Sequence, residues 1–170
     1  MQATTEFREQ QKLELAASLL RSGGRVRIKA LGASMLPTLW PGDLLTIENH
    51  ARRELSAGDI VLVLRGEHIL VHRLIRSMGQ GGPRWITRGD AMPQNDPPVA
   101  DPDVLGRVSC IYRKNRAIAP SRQLSLLNRA VGWLLCHSAS ARNLALRIHW
   151  WRQERAESRT ARIADMAQRG

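Results

Sequence analysis

Residues 60–75, IVLVLRGEHILVHRLI, carry two runs of strand-forming residues, Ile60–Leu64 and His68–Ile75, on either side of an Arg65-Gly66-Glu67 turn signal. Short aliphatic and β-branched runs bounded by glycine read as strands rather than as helix. The same reading extends outward in both directions. Val26, Ile28 and Ala30 alternate with Arg25, Arg27 and Lys29, as in a half-buried strand, and Leu44–Glu48, Trp85–Arg88 and Val104–Arg113 are further strand candidates. Pro41-Gly42-Asp43, Ala57-Gly58-Asp59 and Gly79–Pro83 supply the turns between them. Five or six short strands without intervening helices predict a compact, largely antiparallel β domain over residues 25–115, so the expected fold class is mainly β.

Helices are expected at both ends. In residues 4–22, Phe7, Leu13, Ala16 and Leu20, with Leu15 and Leu19, recur at helical spacing, and Gly23-Gly24 stops the pattern. This makes residues 1–24 an N-terminal amphipathic helix. Residues 116–170 read as a basic helical extension. Leu124, Leu127, Val131, Leu134, Ala141, Ala145, Ile148 and Trp151 fall near one stripe, with a weak point at His137–Ser140 and a polar end, Arg155–Gly170, expected to fray.

Composition narrows the function classes. The 170 residues predict one domain with an appendage, large enough to fold without a disulfide or metal staple. Cys110 and Cys136 show no CxxC or Cys/His ligand spacing, so no zinc site, disulfide framework or cofactor is expected. The N-terminus lacks the apolar segment of a secretory signal, and no run of 18 apolar residues exists to span a bilayer. The expected location is therefore cytoplasmic or peripheral to a membrane. The net charge of +11 is uneven: residues 1–120 contribute +5 and residues 121–170 contribute +6. Such a tail favours an anionic partner.

The segment with chemical content is Leu31-Gly32-Ala33-Ser34-Met35-Leu36-Pro37-Thr38-Leu39-Trp40-Pro41-Gly42-Asp43. A serine between a strand and a proline-containing turn can be presented on a rigid elbow, but its hydroxyl needs a base within hydrogen-bond reach to act as a nucleophile. Further segments follow in order: Gly58-Asp59-Ile60-Val61-Leu62-Val63, then Ile69-Leu70-Val71-His72-Arg73-Leu74-Ile75, then Arg88-Gly89-Asp90 with Asp96, and finally Leu105-Gly106-Arg107-Val108. Together these blocks, over residues 25–112, resemble the signal peptidase I family of serine endopeptidases and its LexA-type self-cleaving relatives. The resemblance implies Ser34 as nucleophile and His72 as general base, in the branch that carries histidine where bacterial signal peptidases carry lysine. It also implies acids at Asp90 and Asp96, with Asp96 orienting His72 and Asp90 supporting the site. An imidazole, with an ordinary pKa of ~6.5, can deprotonate serine near neutral pH without the burial a lysine base requires.

The expected activity is therefore serine endopeptidase action on a polypeptide precursor or leader peptide, through an acyl-enzyme on Ser34. The alternative is a non-catalytic or autoprocessing β domain that binds a partner or regulates transcription. The backbone N–H of Ser34 is the natural oxyanion donor, since Gly32 has no hydroxyl where some relatives do. Gly32 and Gly42 are read as allowing backbone conformations or close approaches that a side chain would block. Asp43 and Asp59 read as turn residues, His68 as an exposed strand-end residue, and His50, His137 and His149 as surface or helix residues. Met35 reads as groove or core.

The chain departs from the resemblance in two places. A polar helix stands where signal peptidases have a transmembrane anchor, and Ala91 follows Asp90 where the family box often has asparagine. Packing on the β domain or on another chain is the first reading of the C-terminal stripe. A peripheral lie on an anionic membrane is the second, and nucleic acid is not expected, because no recognition-helix or basic-aromatic strand pattern appears.

Overall fold

The computed structural model describes residues 2–49, 55–66, 68–79, 84–114, 116–151 and 155. The side chain of Phe7, His50, Glu67, residues 80–83 of the expected loop and the tail beyond residue 155 lie outside the described residues.

Every strand expected from the alternation forms: β1 (Arg25–Lys29), β2 (Leu44–Glu48), β3 (Ile60–Arg65), β4 (His68–Met78), β5 (Arg84–Arg88) and β7 (Val104–Arg113). Two short strands join them, β6 (Val99–Ala100) and β8 (Arg116–Ile118). All pair antiparallel in one sheet of order β1-β2-β7-β3-β4-β5-β6, with β8 also on β7. The fold is mainly antiparallel β with terminal helices, as the turn spacing required. Arg116–Ile118 correct one boundary, because they extend the sheet rather than begin the helical extension.

β7 is the joint of the sheet. Its start, Val104–Arg107, pairs β3, while Arg107–Tyr112 pairs β2. Register shifts at Leu62/Val63 and Thr46/Ile47 accompany these pairings, and such bulges bend a sheet locally. Leu45, Ile47, Leu62, Val108 and Ile111 form one core cluster, and Val61, Val63, Leu74, Trp85 and Val99 form another. The Trp85 indole stays satisfied by donating Nε1–H to Asp101 Oδ1 at 2.8 Å.

Helix α1 (Gln2–Arg21) enters the first cluster through Ala17 and Leu20, with Leu13 and Ala16 half-buried beside them. Full burial of a leucine contributes roughly 1.5–3 kcal/mol, enough for Leu20 to hold the helix on the sheet. Leu15 and Leu19 do not share this face; they are exposed, so the buried stripe is narrower than the spacing implied.

The chain divides into two compact units, Met1–Trp133 and Leu134–Gly170. Helix α2 (Leu126–His137) begins with Ser125 Oγ accepting from the Asn128 N–H at 3.2 Å. The break expected at His137–Ser140 falls at Ser138, whose Oγ accepts from the Ala141 N–H at 3.1 Å and caps α3 (139–151). Among the described residues no helix is long and apolar enough to cross a membrane.

Candidate active site

The 30–43 loop between β1 and β2 presents Ser34. Its ends are tied to the hairpin by Ala30 N–H to Asp43 O and Gly42 N–H to Ala30 O, both 2.8 Å. Gly42 has φ +96°, which a side chain would strain, as expected for this turn. Gly32 differs: a Cβ there would meet nothing within 4 Å, so no obstruction explains that glycine. Asp43 closes the turn by accepting from the Trp40 N–H at 2.8 Å, and Arg113 of β7 binds its carboxylate from across the sheet. Met35 and Leu39 anchor the loop in the core, and Met35 also lines the cleft beside Ser34, so its two expected roles coexist.

His72 sits mid-way along β4, opposite Val61, and is buried to 6% exposure. Its Nε2 lies 3.1 Å from Ser34 Oγ and its Nδ1 lies 2.6 Å from Asp96 Oδ2. With the ring proton on Nδ1 donated to Asp96, Nε2 is the acceptor for the serine hydroxyl. His68 stands exposed at the start of the strand, four positions away, which is too far to share this task.

Asp96 comes from a loop, yet two bonds from Thr87 fix it. Thr87 Oγ1 donates to Asp96 Oδ2 at 2.6 Å, and the Asp96 N–H returns to Thr87 O at 2.8 Å. Thr87 is fully buried at the end of β5, so the acid is held by the sheet rather than by solvent-exposed loop backbone. Arg65 adds a bond to Pro97 O at 2.9 Å.

Asp90 does not touch His72. Arg73, the residue after His72, donates Nε–H to Asp90 Oδ1 at 2.7 Å and an Nη2–H to Oδ2 at 2.8 Å, and Thr38 Oγ1 donates to the same carboxylate. Both side chains of this ion pair are buried, at 6% and 3%. The remaining Arg73 amine donates to the carbonyls of Gly58 and Ser121 at 2.7 and 2.8 Å. Ala91 contributes through its backbone: its N–H donates to Ser34 O at 2.8 Å, a contact indifferent to whether the side chain is alanine or asparagine. Gly89 passes so close that a Cβ would lie 2.5 Å from Ser34 O. Among the described residues no hydrogen bond uses the Ser34 N–H, which leaves it available to an incoming oxygen.

A cleft of about 200 Å³ opens beside Ser34, lined by Ile28–Gly32 on one side and Ile69–Val71 on the other. The four residues singled out in the sequence thus form a line, Ser34–His72–Asp96, and a separate buried ion pair at Asp90. Thr38, Arg73 and Thr87 complete the set. The first two stood in the quoted blocks without a role; for Thr87 the signal was its place in a strand two residues before Gly89-Asp90.

The family model for Peptidase S24-like proteins matches residues 1–108. The chain belongs to the Peptidase S24-like family. That membership identifies it in general terms as a serine peptidase or autoprocessing domain. No curated protein matches the chain. The matched region contains Ser34, His72, Asp90 and Asp96 but stops before Arg113, Ser121 and Arg122, which brace the site from behind.

Proposed function

We propose that the chain is a serine endopeptidase that cleaves a precursor or leader peptide in trans, with Ser34 as nucleophile, His72 as general base and Asp96 as the residue that orients the imidazole. The observation that carries this reading is the continuous hydrogen-bond line from Ser34 Oγ through His72 to Asp96, with spacings of 3.1 and 2.6 Å. Those distances lie within the range proton transfer requires.

Ser34 Oγ attacks the scissile carbonyl carbon while its proton passes to His72 Nε2. The tetrahedral oxyanion takes the Ser34 N–H as donor. Asp96 stabilises the imidazolium, which then gives its proton to the leaving amine as the C–N bond breaks. Water, deprotonated by His72, attacks the acyl-enzyme and releases the acid product and Ser34. The peptide lies in the cleft alongside β1, an edge strand whose free side suits strand addition. The resemblance adds a preference for small side chains next to the scissile bond.

Labelling with a serine-directed fluorophosphonate tests the assignment. The wild type is expected to label, and Ser34→Ala and His72→Ala are expected not to; equal labelling of all three sinks the reading. Intact mass after prolonged incubation separates cleavage in trans from self-cleavage: Ser34-dependent shortening of the chain itself would make it an autoprocessing domain.

A further inference from the structure

Both C-terminal helices carry exposed apolar side chains. On α2, Leu126, Leu127 and Leu134 are 82%, 73% and 49% exposed, and on α3, Leu144, Ile148 and Trp151 are 58%, 42% and 50% exposed. The first three lie within about 100° on their helix and the second three within about 60° on theirs, so each helix presents a coherent outward apolar face. Scattered surface leucines need no explanation, but whole faces of two successive helices do. Other members of the expected stripe, Leu124, Val131, Ala141 and Ala145, are half-buried.

Charge identifies the occupant. Residues 104–153 contain nine Lys/Arg and no Asp or Glu. On the helices themselves the charged residues are Arg129, Arg142 and Arg147. A second copy of the chain would bring cations against cations across a two-fold axis. A nucleic acid would satisfy the arginines but leave the leucines without a partner. An anionic lipid surface satisfies both. The described stretches of α2 and α3, about 18 and 20 Å long, fall short of a hydrocarbon layer of roughly 30 Å and suit a lie within the headgroup boundary. The arginine stacked on the terminal tryptophan, Arg155 over Trp151 at 3.7 Å, places a cation at the edge of the apolar face.

We propose that α2 and α3 form an interfacial anchor that docks the enzyme on an anionic phospholipid bilayer. The inference stands apart from the catalytic reading, since no active-site residue enters it.

The test is vesicle flotation of the full chain. It is expected to float with phosphatidylcholine vesicles containing about a third phosphatidylglycerol, and about tenfold less with phosphatidylcholine alone. Leu126→Glu/Leu127→Glu and Leu144→Glu/Ile148→Glu remove apolar area, and Arg129→Gln/Arg142→Gln/Arg147→Gln removes charge. Each set is expected to lower flotation by about tenfold. Because these positions are exposed, apart from the half-buried Arg142, thermal unfolding midpoints should stay within a few degrees of wild type, which separates lost docking from lost folding. Failure to float with anionic vesicles, or equal flotation of all variants, overturns the proposal. A dimer in sedimentation that the same leucine variants dissolve, without vesicle binding, overturns it in favour of a second copy.

Discussion

At Ser34 the hydroxyl faces His72 Nε2 at 3.1 Å, and the far side of that ring is committed to one carboxylate oxygen, which Thr87 also holds. Asp96→Asn should therefore preserve the fold while favouring the wrong tautomer, slowing fluorophosphonate labelling by on the order of 10⁴-fold. Thr87→Val keeps the carboxylate but frees its orientation; a loss of about tenfold in labelling rate is expected from one charge-assisted bond. Two glycines give an opposed pair of outcomes. Gly32→Ala enters open space and should change the unfolding free energy by no more than about 0.5 kcal/mol. Gly89→Ala would force a Cβ to 2.5 Å from Ser34 O, so chemical denaturation should show a clear loss of stability together with slower labelling. The sequence order of Ser34, His72, Asp90 and Asp96 made these residues legible before any coordinates. The difference between the two aspartates was open, because it depends on which residue of the adjacent strand each loop position meets.

Among elements, β4 carries consecutive residues with separate partners: His72 bonds Ser34 and Asp96, and Arg73 bonds Asp90. Arg73→Met leaves the Asp90 carboxylate buried without its ion pair, and breaking such a pair by removing one partner costs about 3–5 kcal/mol. Urea unfolding of Arg73→Met and Asp90→Leu, alone and combined, tests this; the double variant is expected to be less destabilised than the sum of the two singles. Ending the chain after Ala119 removes the Ser121 carbonyl from Arg73 and the Arg122 guanidinium from Asp59, whose Nε lies 2.6 Å from Oδ1. Lower thermal stability is expected even though the whole family-matched region remains. The strands were readable because alternation and Gly-Asp turns coincide with the real boundaries: β2 and β7 begin and end where the pattern does. β8 was not, since Arg116–Ile118 are all exposed and carry no burial pattern to read. For α1 the leucine spacing allowed two faces, and only the sheet beneath selects Ala17 and Leu20 over Leu15 and Leu19.

For the whole molecule, the +11 charge has distinct settings. Asp43, Asp59 and Asp90 each hold an arginine with a mostly buried carboxylate, so part of the positive charge is structural. The described stretches of the two C-terminal helices, Leu126–His137 and 139–151, contain no Asp or Glu. β7 pairs β3, then β2, then β8 along its length, and hydrogen exchange should find its paired amides among the slowest in the chain. Its place in the strand order has a further consequence, in time rather than in space. Without β7 the strand ladder falls into a β1-β2 pair that carries Ser34 and a β3–β6 group that carries His72 and Asp96. Local hairpins can form each half early, but the long-range pairing that joins them waits for residues 104–113. A growing or partly folded chain therefore holds a serine and an imidazole that have not yet met, and the Ser34–His72–Asp96 line forms only as the sheet is completed.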